Sequence, residues 1–80
     1  MGVRDVVEVL AKALVDNPNA VRVEETQHKA TTLVEVYVAQ VDAGKMIGRQ
    51  GRTVAALRTL ASIAGEKEGK TVTLEIREQR

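Results

Sequence analysis

The chain of 80 residues contains no cysteine, phenylalanine or tryptophan, and only one tyrosine and one histidine. Without cysteine there is neither a disulfide framework nor thiolate chemistry, and His28 alone cannot supply the ligand count of a protein-only zinc site. No metal or other cofactor is expected. Long apolar runs are missing too. None approaches the length that spans a bilayer, and the N-terminus lacks a signal-peptide apolar region, so the cytoplasm is the expected location. The shortage of aromatic rings excludes one way of holding nucleic acid, because single-strand binders of the RRM and OB types stack bases on several aromatic side chains. Here Tyr37 stands alone.

What is present suits one small folded domain over residues 1–80. Hydrophobic residues make up 44% and charged residues 29%, with a net charge of +1, which argues against disorder. Val3, Val6, Val7, Leu10 and Leu14 fall on one stripe of a helix predicted over Val3–Val15, with Arg4, Glu8, Lys12 and Asp16 opposite. Asn17-Pro18-Asn19 stops it. Alternation predicts a strand over Ala20–Glu25, a hairpin turn over Thr26–Thr31 and a long β-branched strand over Thr32–Val41. Val34, Val36 and Val38 share one face of that strand; Leu33, Glu35, Tyr37, Ala39 and Val41 share the other. Asp42 is placed to cap a short helical turn over Ala43–Ile47, and a second helix is predicted over Thr53–Ala64 with Gly65 as its C-terminal cap. The apolar positions of that helix cover about half its circumference. One edge then packs in the core while another, near Leu60 and Ile63, meets a ligand or a partner subunit. Val72, Leu74 and Ile76 alternate as a last strand. A β-α-α-β crossover favours a parallel pair if its strands are neighbours, so the expected fold is α+β, a three-stranded mixed sheet with helices on one face.

The stretch Asp42–Gly51, D-A-G-K-M-I-G-R-Q-G, carries the functional signal. From Ala43 to Gly65 there is no acid, while Lys45, Arg49, Arg52 and Arg58 give a local charge of +4. An anion is the natural visitor, and a helix start near Arg52 adds unpaired N–H donors, which points to phosphate. A Walker loop fails, because Gly44-Lys45 is followed by Met46 and position 39 is alanine; glycines at 44, 48 and 51 do not fit Gly-x-Gly-x-x-Gly either. A Gly-x-x-Gly turn between two helices remains, the arrangement that clamps the backbone of about four nucleotides in KH domains. On spacing alone, a plain helix-turn-helix connection is an equal reading. Glu24, Glu25 and Glu35 could be imagined as paired catalytic carboxylates, but nothing in the sequence sets them beside a nucleophile, and no enzyme is expected.

Asp42 to Thr53, followed by Ala56-Leu57-Arg58-Thr59, resembles the signature of the small bacterial single-KH RNA-binding proteins of the KhpA type, and the resemblance covers nearly the whole chain. The resemblance implies a type II KH-like domain, α-β-β-α-α-β, binding single-stranded RNA. Gly48, Arg49, Gln50 and Gly51 would meet phosphate, aided by Lys45, Arg52 and Arg58, and the bases would lie against Ile47, Val54 and Leu57. It further implies a homodimer, or a heterodimer with a larger KH-containing protein of the Jag type, and links to RNA chaperoning and cell-wall growth. Leu60 and Ile63 are the candidate dimer contacts. A protein-interaction module that keeps the KH fold without significant RNA binding of its own is the alternative.

Overall fold

A computed structural model describes residues 2–48 and 51–79. Helix α1 (Val3–Leu14) and a 3-10 turn at Pro18–Ala20 lead into strands β1 (Arg22–His28) and β2 (Thr31–Val38). Helices α2 (Gln40–Ile47) and α3 (Gly51–Lys67) and strand β3 (Thr71–Glu78) complete the order α-β-β-α-α-β. The sheet order is β1-β2-β3, antiparallel between the first pair and parallel between the second. This is the mixed three-stranded α+β architecture of a type II KH-like domain.

The core follows from two periodicities. Along α1, Val3, Val7 and Ala11 are buried at four-residue spacing, while Arg4, Glu8 and Lys12 form ion pairs of 3.1 and 3.5 Å on the outside. On the central strand, Thr32, Val34, Val36 and Val38 are wholly buried, and α1 and α3 lie against that face of the sheet and against each other. Val54, Leu57 and Ala61 supply the contribution of α3. The outer face of the sheet is polar: Arg22 pairs with Glu24 and Arg77 with Glu35, both at 2.6 Å.

Several element boundaries differ from the sequence reading. The hairpin turn is not Thr26–Thr31. Pairing runs on through Gln27↔Thr32 and His28↔Thr31, which leaves only Lys29 and Ala30 in the turn. Lys29 takes a φ of 58°, a left-handed backbone that the tight turn requires and that the sequence, lacking Asn-Gly, does not announce. Strand β1 starts at Arg22 rather than Ala20, which the 3-10 turn claims. Strand β2 ends at Val38, so Ala39 is the N-cap of α2 and Val41 leaves the sheet. Asp42 is therefore inside the first turn of α2 rather than its cap.

The last difference concerns Gly65. Helix α3 continues past it to Lys67, and the C-terminal cap falls instead on Gly69, with φ 70°. Lys70 N–H donates to Gly65 O at 2.8 Å and Gly69 N–H to Glu66 O at 3.0 Å, the paired bonds of a Schellman motif. Gly65 is buried for a different reason: β3 runs close over it. A Cβ at this position would overlap Val72 Cγ2 and lie 3.2 Å from the Lys70 carbonyl oxygen. The loop after α3 also reaches the start of α1, where Val3 N–H donates to Glu68 Oε2 at 3.2 Å.

Replacing Gly65 with alanine is expected to lower unfolding free energy by about 1–3 kcal/mol, the usual range for overpacking. Urea denaturation followed by circular dichroism reads this directly, and an unchanged midpoint would show that β3 shifts away at no cost.

Candidate nucleic-acid interface

The short helix α2 is held by what it buries. Ala43 and Met46 enter the core while Val41 and Ile47 project outward, Ile47 at 71% exposure. Eight residues with no side-chain cap make a marginal helix in isolation, so an outside contact must fix its start. Asp42 makes that contact. Its side chain is 2% exposed and accepts from Asp16 N–H at 3.1 Å, Asn17 N–H at 3.1 Å and Asn17 Nδ2 at 3.2 Å. Burial pushes the Asp42 carboxyl upward; the donors from Asp16 and Asn17, with the charge of Lys45, outweigh it and leave the group below the ordinary aspartate value. The elbow between α1 and the 3-10 turn is thereby tied to the first turn of α2.

At its other end α2 stops at Gly48, whose N–H donates to Gly44 O at 3.0 Å. Helix α3 begins at Gly51, two residues before the Thr53 expected from the sequence. Arg49 and Gln50 lie outside the described residues. Gly51 and Arg52 are exposed at the start of a 17-residue helix, where its first N–H groups and its positive dipole end are offered. Arg52 has no carboxylate partner among the described residues. Arg58 is fixed, its Nε donating to Leu74 O at 3.3 Å on the outer edge of β3. Among the described residues that edge carries no further strand. The face therefore brings together an exposed Ile47, Gly48 and Gly51 at the facing ends of the two helices, Arg52, and Arg58 held against the edge of β3.

Other predicted positions fall elsewhere. Val54 and Leu57 are 6% and 1% exposed and belong to the core, so they support this face from beneath. Lys45 is not simply solvated: its Nζ forms an ion pair with Asp16 Oδ2. The acid-free stretch in the sequence is thus not acid-free in space, because the α1 elbow carries Asp16 up beside Lys45. Leu60 and Ile63 lie about half exposed on the outer side of α3, where with Val6 and Leu10 of α1 they line an apolar groove. Tyr37 belongs to the outer face of the sheet, its ring under the Arg22 guanidinium at 5.3 Å and its hydroxyl donating to Glu35 Oε2 at 3.4 Å. Among the described residues no group of three or more His, Asp or Glu side chains could hold a metal ion, and no helix is long and apolar enough to cross a membrane.

The family model described as "KhpA/KhpB, KH domain" matches residues 4–76. The chain belongs to this family. It is 48% identical over 75 residues to the RNA-binding protein KhpA of Aquifex aeolicus, covering 94% of this chain and 95% of that protein. The RNA-binding protein KhpA of Caldanaerobacter subterraneus subsp. tengcongensis is 49% identical over 72 residues, covering 90% and 96%. That of Clostridium perfringens is 42% identical over 73 residues, covering 91% and 97%. None of these names is that of an enzyme. Within the KhpA/KhpB family fold, Gly48 and Gly51 fall at the end of α2 and the start of α3, and Asp42 is the residue whose structural role its local sequence conceals.

Because the folded state holds Asp42 below its ordinary value of 3.8, its charge contributes stability that is present above that pH and lost as pH falls through the lower folded value. Asp42→Asn is expected to be less stable than wild type at pH 7, with the difference shrinking below pH 3.8. Thermal unfolding across pH 2–7 checks it; a constant difference would assign the loss to packing alone.

Proposed function

We propose that the protein is a non-enzymatic single-stranded RNA-binding module. The observation that carries this reading is the junction of α2 and α3, where Gly48, Gly51, an exposed Ile47 and the cationic start of α3 lie together, with Arg58 of the same helix bound to the edge strand β3. The names of the relatives support it. About four nucleotides would run through the groove, with phosphates over Gly48–Gly51 and the side chains of Arg49, Gln50 and Arg52. Bases would lie against Ile47, with Val54 and Leu57 as the packed floor behind it, and Lys45 and Arg58 would flank the backbone. No aromatic residue serves this face, so each base contact is aliphatic and one module is a weak reader.

Weak reading favours a second copy or a second RNA-binding protein, which raises affinity through effective concentration. The apolar groove of Val6, Leu10, Leu60 and Ile63 supports a homodimer, or a heterodimer with a larger KH-containing protein of the Jag type. Cytoplasmic RNA chaperoning and a link to cell-wall growth are the physiological role that the resemblance implies. The same groove is the specific observation favouring the second reading, a protein-interaction module whose RNA binding is slight.

Titrating a fluorescent single-stranded RNA pool is expected to show binding by the wild type and none by the Arg49→Asp, Gln50→Asp variant, with circular dichroism showing both folded. Equal affinities would sink the clamp. The log–log salt slope should be no steeper than about −3, at ~0.7 per phosphate for up to four cationic contacts. For the groove, Leu60→Asp with Ile63→Asp is expected to lower the mass seen in sedimentation equilibrium while leaving the fold intact. A wild type that is monomeric at all concentrations would remove the homodimer.

A further inference from the structure

Granted that single-stranded RNA lies over the junction of α2 and α3, as proposed above, we infer that Asp16 competes with RNA phosphate for Lys45 and so sets the affinity of the clamp. Two features support this. Lys45 lies on α2 three residues before Gly48, about 4.5 Å along the helix axis from the turn, and its ammonium group is paired with the Asp16 carboxylate. The partner, moreover, is presented by a rigid support. The backbone N–H of Asp16 donates to the buried Asp42 carboxylate at 3.1 Å, so the Asp16 side chain is held beside α2 instead of drifting on a free chain end. A phosphate approaching Lys45 must displace a carboxylate whose backbone is held beside it.

The pair is built to exchange. Its side chains are 44% and 65% exposed, Lys45 first, and ion pairs in that setting are weak and screened by salt. Asp16 therefore lowers affinity without blocking the site. The competition falls on Lys45 in particular: Arg52 has no carboxylate partner among the described residues, and Arg58 is bound to a neutral carbonyl. Asp42, the other acid facing Lys45, has its oxygens occupied by the elbow N–H groups. The elbow survives substitution of Asp16, because Asp42 is bound by a backbone N–H that asparagine retains.

The test is a double-mutant cycle in RNA affinity with wild type, Asp16→Asn, Lys45→Gln and the double variant, using the same fluorescent single-stranded RNA at low and at high salt. Asp16→Asn is expected to tighten binding roughly two- to fivefold at low salt, the range set by exposed ion pairs. The gain should shrink at high salt and vanish in the Lys45→Gln background. If Asp16→Asn binds as the wild type does, or its gain persists undiminished with Lys45→Gln, the competition is overturned while the clamp stands. If no variant and no wild type binds the RNA, both are overturned together.

Discussion

A carboxylate with almost no access to water fixes the geometry of this domain where it matters. Asp42 is buried in the first turn of α2, a position where an unpaired charge would be costly. It is tolerated because two backbone N–H groups and one side-chain amide converge on it from the elbow after α1. Charge-assisted hydrogen bonds of this kind are among the stronger polar contacts available. They join segments far apart in sequence and let a helix of eight residues begin at a defined place without a cap of its own. The direction of Ile47, the position of Gly48 and the approach of Asp16 to Lys45 all follow from that anchorage.

Helix α3 shows how one element can serve two surfaces. Its apolar side chains cover more of the helix than one buried stripe needs, and the structure divides them. Val54, Leu57 and Ala61 face the sheet and α1, while Leu60 and Ile63 remain on the outer side next to Val6 and Leu10. Gly65 then allows β3 to pass directly over the end of the helix, close enough for Arg58, two turns earlier, to reach the Leu74 carbonyl. A bulkier residue at 65 would push the strand away from the cation that covers its edge.

Much of this was legible in the sequence, and the exceptions have a common cause. Amphipathic α1 and the alternating valines of β2 are local patterns, and each was read correctly in kind. The hairpin was read too long because Thr26, Gln27 and His28 look like turn residues until Leu33, Thr32 and Thr31 pair with them. Val41 continued the alternation of β2, and only the demand of the distant Asp16 and Asn17 N–H groups for a carboxylate shows why a helix has begun by then. Gly65 had the chemistry of a cap but is used for close packing, a distinction that depends on Val72. The acid-free stretch overstated the local positive charge because sequence counting ignores a carboxylate brought in from α1. The contacts of Asp42 and Lys45 with the α1 elbow, the ones the sequence concealed most completely, are between residues more than 20 positions apart.

The parallel pairing of β2 with β3 gives the proposed clamp an unusual status in the molecule. Antiparallel strands can be joined by two residues, as β1 and β2 are, but parallel neighbours need a return path across the sheet. Helix α2, the turn and helix α3 are that return path. The proposed recognition surface is thus a strap rather than a loop mounted on a finished scaffold, and its far end is held by the pairing of residues 71–78 with residues 31–38. A chain cut within the short segment between α3 and β3 would retain α1 and the hairpin, yet the strap would hang from one end. In this architecture a single nick there would free one end of the proposed clamp.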